Sequence, residues 1–109
     1  MANEIQVIVY PVKDLEKAKS IYDEFLGVKP YVDSSFYVGY KLDKLEVGLD
    51  PNGEAIVGYI DVTDIKSSLQ SLLDAGAVIH QEIRKVAEGL LIAQVKDPNG
   101  NILGLRGPE

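Results

Sequence analysis

The residues able to do chemistry in this chain are few, and their scarcity is informative. There is no cysteine and one histidine, His80. Thiolate nucleophiles, disulfides, iron–sulfur clusters and thiolate zinc sites are therefore all absent. His80 stands in Val78-Ile79-His80-Gln81 with no second histidine around it. A general base needs a positioned partner within hydrogen-bond reach, so His80 reads as a packed or solvated side chain. The serines Ser34-Ser35, Ser67-Ser68 and Ser71 form no nucleophile elbow, and neither a G-x-x-x-x-G-K nor a G-x-G-x-x-G phosphate loop is present. What remains, set in strand-like runs, includes two carboxylates, a tyrosine and an arginine: Glu46, Asp61, Tyr59 and Arg106. Carboxylates can receive a cationic group and a tyrosine ring can stack on it. The competing reading is that these strand-end carboxylates are solvated, or that they pair with Arg106.

Two repeated patterns supply the elements that would position them. Glu4–Tyr10 is a β-branched run closed by Pro11. Asp14 then has the character of a helix N-cap, with Glu16 in the first turn, and Gly27 is a natural stop. Leu15, Ala18, Ile21, Tyr22, Phe25 and Leu26 recur at helical spacing, so the helix spans Asp14–Leu26 with one apolar face. Strands are expected at Val28–Asp33, Phe36–Leu42 and Leu45–Leu49, followed by the turn Asp50-Pro51-Asn52-Gly53. The pattern then restarts. Ala55–Val62 is a strand, Asp64 repeats the N-cap, and Ile65, Leu69, Leu72 and Leu73 form a helical stripe ended by Gly76. Val78–Arg84, Leu90–Lys96 and Asn101–Arg106 are three more strands. The expected fold class is therefore α+β, with strand–helix–three strands occurring twice, about 1–53 and about 54–109. No linker separates the halves, so one domain over 1–109 is expected.

Bulk properties narrow the partners. The 109 residues carry a formal net charge of −6. Such a field repels a phosphate backbone, which makes nucleic acid a poor partner and favours a neutral or cationic ligand. The N-terminus shows no basic region followed by an apolar run, and no apolar stretch reaches the roughly 18 residues of a membrane helix. Together with the lack of cysteine, this points to a cytoplasmic protein with no membrane partner.

Three segments carry a family resemblance: Tyr10–Tyr31 (YPVKDLEKAKSIYDEFLGVKPY), Gly58–Ala77 (GYIDVTDIKSSLQSLLDAGA) and Val95–Pro108 (VKDPNGNILGLRGP). The strand, V-x-D-L, helix and L-G opening, combined with a late D-P-x-G-N turn, resembles the vicinal-oxygen-chelate superfamily of glyoxalase, bleomycin-resistance protein and extradiol dioxygenase. The resemblance implies two βαβββ units whose curved mixed sheets surround a cavity with the helices outside, and a homodimer. It also implies a metal site with one His, Gln or Glu on the first and last strand of each unit. Carried over by motif, those four positions are Val7, Gly48, Val57 and Gly104. None can coordinate through its side chain, so no metal and no other cofactor is expected.

The same carry-over proposes a cavity lining. If the four positions face inward, so do residues two away along each strand. The cavity candidates are then Glu46, Gly48, Val57, Tyr59, Asp61, Gly104 and Arg106. Tyr37 and Tyr40 have opposite parity, so at most one faces the cavity well. Glycine at 48 and 104 is read either as open volume for an organic molecule or as close strand packing or a bulge. No catalytic residue is assigned. The functional expectation is a metal-independent small-molecule-binding protein resembling the bleomycin-resistance branch. The alternatives are a glyoxalase-like or other small-carbonyl enzyme using Glu46, Asp61 or Tyr59, and an interaction subunit.

Overall fold

Both helices begin where a carboxylate satisfies an otherwise unpaired backbone N–H. In the computed structural model, which describes residues 2–109, α1 spans Leu15–Leu26 and α2 spans Ile65–Asp74. The Asp14 side chain accepts from the Lys17 backbone N–H at 3.1 Å, and Asp64 does the same for Ser67 at 3.2 Å. Each cap of this kind stabilises a helix by about 1 kcal/mol. The stops differ. Gly27 ends α1 at φ 72°, the left-handed region in which glycine carries no Cβ penalty. In α2 the cap is Ala75, and Gly76 follows at φ 115°.

Eight strands complete the chain: β1 Ile5–Pro11, β2 Val32–Asp33, β3 Val38–Lys41, β4 Glu46–Asp50, β5 Val57–Asp61, β6 Val78–Ala87, β7 Leu90–Lys96 and β8 Ile102–Pro108. The architecture is α+β, with the strand–helix–three strands order present twice. Two compact units result. The N-terminal unit is Val7–Ile56, and the C-terminal unit is residues 2–6 with Val57–Glu109. The boundaries of the units fall between Gln6 and Val7, within β1, and between Ile56 and Val57.

The N-terminal unit has strand order β2-β3-β4-β1, with β1 parallel to β4 and the other neighbours antiparallel. The C-terminal unit has order β5-β8-β7-β6, with β5 parallel to β8 and the rest antiparallel. In each, the first strand of the repeat lies beside the last, as a strand–helix crossover requires for a parallel pair.

Period-two alternation sorts the side chains. In the N-terminal unit Val38, Tyr40, Val47 and Leu49 are buried, with Leu15, Ala18, Tyr22 and Leu26 of α1 packed on them. The Tyr40 hydroxyl donates to Asp23 Oδ1 at 2.7 Å, tying β3 to α1. This bond and the nearby Lys29 ammonium hold the Asp23 carboxyl below its ordinary range; burial, then Asp23 itself, pushes the Tyr40 phenol up. In the C-terminal unit Ala93, Val95 and Leu105 are buried with Ile65 and Leu69 of α2. In each unit the helix thus covers one sheet face, leaving the other for Glu46 and Gly48 in the N-terminal unit and for Tyr59 and Gly104 in the C-terminal one.

Several boundaries depart from the sequence expectation. Val28–Asp33 shrinks to Val32–Asp33, because Pro30 has no N–H to give a ladder. β6 runs on to Ala87 with three register shifts along it, and β8 continues to Pro108. Those irregularities, with Glu82, Arg84 and Lys85, blunt the long edge strand against pairing with another chain. Among the described residues no helix is long and apolar enough to cross a membrane.

Candidate functional site

Gly48 and Gly104 are the centres of the two helix-free sheet faces, and each lies beneath a tyrosine. In the N-terminal unit Gly48 is opposite Gly39 in the antiparallel β3–β4 pair. The two together expose a patch of bare backbone, and Tyr37 lies across it. A methyl group added at 39 would sit 3.2 Å from Tyr37 Cε2, and one at 48 would sit 2.6 Å from Tyr37 Cζ. The Ser34 hydroxyl and the Tyr37 carbonyl lock the short turn that delivers this ring: Ser34 Oγ donates to Tyr37 O at 3.1 Å and accepts from the Tyr37 N–H at 3.2 Å.

Glu46 is two residues along β4 on the same face. It accepts a hydrogen bond from the Tyr31 hydroxyl at 2.7 Å. Tyr31 also edges the Gly39 patch, its Cε1 lying 3.3 Å from the point a methyl at 39 would occupy. Lys41, directly opposite Glu46 in register, places its ammonium 5.4 Å from the centre of the Tyr31 ring.

The C-terminal unit fills the same vacancy from the other side. Tyr59 on β5 is the direct partner of Gly104 on β8. Its ring covers the glycine so closely that a methyl there would lie 2.5 Å from Cε1 and 2.7 Å from Cγ. The ring reaches past β8, and its hydroxyl accepts from Gln94 Nε2 of β7 at 2.7 Å. Tyr59 and Gln94 are both 8% exposed, so this is an interior hydrogen bond. Beyond it, Arg106 grips Asp61 in a two-pronged pair, Nε to Oδ1 at 2.8 Å and a terminal nitrogen to Oδ2 at 3.1 Å. An open depression of about 260 Å³ borders that pair, lined also by Leu90 and Pro108.

The sequence-predicted residues therefore separate into two groups. Glu46 and Gly48 share the N-terminal face; Val57, Tyr59, Asp61, Gly104 and Arg106 share the C-terminal one. Of the two readings of Gly48 and Gly104, open volume gives way to close packing: a tyrosine ring fills the space over each, because a glycine lets a neighbouring aromatic side chain fold flat over the backbone. Tyr37 takes the helix-free face and Tyr40 the core, as their opposite parity requires. Gln94 and Tyr31 join the site from outside the sequence-predicted set. Gln94 carries a signal, as the one uncharged polar residue in the apolar run Leu90–Val95. Tyr31 carries none, since it precedes β2 and belongs to no regular element. A larger depression of about 470 Å³ lies beside the end of α1, around Asp23 and Lys29. It contains neither glycine–tyrosine pair.

The metal implied by the resemblance does not fit these residues. Val7 and Val57 are buried aliphatic side chains, 3% and 7% exposed. At 48 and 104 there is no donor, and no room for one while the rings are in place. Among the described residues no group of three or more His, Cys, Asp or Glu is placed to hold an ion.

Neither family models nor curated proteins match this sequence. Solved structures do. A glyoxalase/bleomycin resistance protein/dioxygenase superfamily member from Vibrio splendidus is 19% identical, with a TM-score of 0.74 over 99% of this chain and 100% of that one. The chain has the fold of that superfamily. A methylmalonyl-CoA epimerase from Streptomyces coelicolor shares this glyoxalase-like fold at 15% identity and a TM-score of 0.72, covering 99% of each chain. An Mn(II)-bound glyoxalase from Novosphingobium aromaticivorans shares it at 20% identity and a TM-score of 0.74, over 96% of this chain and 38% of that one.

Proposed function

We propose that this glyoxalase-like protein is a metal-independent binder of a small organic molecule, cationic or polar and aromatic. One observation carries the reading. The two last-strand positions that the resemblance assigns to metal ligands, Gly48 and Gly104, each lie beneath a tyrosine ring. Faces that offer phenol rings, with a glutamate on the N-terminal one and an amide on the C-terminal one, in a chain of net charge −6, suit hydrogen bonding and cation–π contact rather than Lewis-acid catalysis. The candidates are Glu46 and Gly48 on the N-terminal face, with Tyr31 and Tyr37 added, and Val57, Tyr59, Asp61, Gly104 and Arg106 on the C-terminal face, with Gln94 added. Asp61 is engaged by Arg106 and Tyr59 by Gln94, which leaves neither poised as an acid or base and weakens the enzyme reading. We take the protein to be a cytoplasmic homodimer. Large exposed apolar side chains, among them Phe36 at 78% and Phe25 at 72%, support self-association, which sedimentation at graded concentrations checks.

The test is a thermal-shift screen of basic and polar aromatic compounds, run with and without a chelator. A ligand that binds only the folded state raises the melting temperature by mass action. The expected result is a shift that chelation leaves intact. A blank screen, or stoichiometric transition metal in the purified protein, overturns the reading.

A further inference from the structure

Lys41 is seated on the N-terminal face as a ligand would be. Its ammonium lies over the Tyr31 ring, 5.4 Å from the centroid. The Tyr31 hydroxyl is bonded to Glu46, and Glu46 is opposite Lys41 across the β3–β4 pair. An aromatic face and a carboxylate joined in this way form a corner with affinity for a cation. Tyr31 is 52% exposed, so the corner is open to solvent. We propose that Tyr31 and Glu46 form the cation-recognising subsite of the ligand-binding face, taking an organic ammonium, and that Lys41 is a tethered competitor occupying it when no ligand is bound. This rests on the binding reading above and deepens it by naming the half of the molecule that reads charge.

The physical basis is local. Gly39 and Gly48 leave the sheet bare, Tyr37 fills that floor, and Tyr31 packs at its edge within 3.3 Å of the place a Cβ at 39 would take. The ring is thereby braced on one side while Glu46 fixes its hydroxyl. A ring held at both ends loses little further freedom on binding, which favours a weak but specific contact. Lys41 reaches that face on a flexible four-carbon stem, so an incoming cation can displace it.

The experiment is an NMR titration of the full chain with protonated benzylamine, and with benzyl alcohol as the uncharged counterpart. In the wild type, benzylamine is expected to shift the resonances of Tyr31 and Glu46 while benzyl alcohol does not. Lys41→Met keeps the aliphatic stem and removes the competing charge, and should tighten benzylamine binding about three- to fivefold. Glu46→Gln should weaken it about tenfold or more. Unchanged amide spectra away from the site establish that both variants fold. Equal binding of benzyl alcohol, or unchanged or weaker binding in Lys41→Met, overturns the inference. If benzylamine moves nothing in either protein while the thermal-shift screen still finds a ligand, the subsite is wrong and the binding reading survives. If the screen is blank as well, both fall.

Discussion

The two halves of this protein place a glycine at the corresponding point of their last strand and cover it from opposite neighbours. In the N-terminal unit, Tyr37 arrives from the turn before β3 and rests its far end, the hydroxyl and Cζ, over Gly48. In the C-terminal unit, Tyr59 arrives from the paired strand β5 and lays one edge of its ring, from Cγ through Cδ1 to Cε1, over Gly104. The far end of a tyrosine swings aside with a modest change in its χ angles; the near end of the ring clears only with a change of χ1 rotamer. Tyr59 is also pinned by an interior hydrogen bond to Gln94, whereas Tyr31 and Glu46 bond at the surface. The C-terminal face is thus built as a rigid floor and the N-terminal face as an adjustable one. The cation subsite we propose falls on the N-terminal side.

Substituting the two glycines tests this most directly. Gly104→Ala should be the most damaging single change, costing about 2–3 kcal/mol by overpacking. In a domain of this size, about 1 kcal/mol moves the melting temperature by roughly 4–8 °C. Gly48→Ala should cost about 1 kcal/mol or less, because Tyr37 can turn away. Melting curves of the two variants decide the matter, and the reverse order would break the comparison. Removing hydroxyls sharpens it. Tyr59→Phe leaves the buried Gln94 amide without its acceptor and should cost about 1–2 kcal/mol in denaturant unfolding. Tyr31→Phe should change stability by less than about 0.5 kcal/mol.

The helix-side tie of the N-terminal unit has a pH signature. The Asp23 carboxyl is held below its ordinary value by the Tyr40 hydroxyl, with Lys29 assisting. A depressed folded-state value means that the unfolded chain takes up the proton first as pH falls. The stabilisation is therefore present above about pH 4–5 and is lost as the solution becomes more acid. Asp23→Asn should flatten that limb of the stability profile, measured by urea unfolding from about pH 6 down to about 2.5. A modest effect belongs to the Arg106–Asp61 pair, whose carboxylate is half exposed. Asp61→Asn should cost about 0.5–1 kcal/mol, and added salt should shrink the difference.

Much of the fold is legible in the sequence because it is written in short-range signals. Asp14 and Asp64 announce helix starts, Gly27 announces a stop, and the apolar run over Leu90–Lys96, set between two turn sequences, announces a strand with the same bounds in the structure. Less regular segments are less legible. Around Pro30 the expected strand is mostly absent, and β6 carries register shifts that no local rule places. The exclusion of metal coordination at positions 7, 48, 57 and 104 is likewise a matter of residue type alone.

Residue type determines that Gly48 and Gly104 lack donors, because a missing side chain is a property of the chain itself. It does not determine what lies above them. Which tyrosine folds over which glycine depends on strand order and register, with Tyr59 opposite Gly104 across β5–β8 and Gly39 opposite Gly48 across β3–β4. Those pairings bring together residues up to 45 positions apart, as Asp61 and Arg106 show. Contacts at such separation are selected by how the whole sheet packs, so only the tertiary structure turns two empty positions into two tyrosine-covered faces of unequal rigidity.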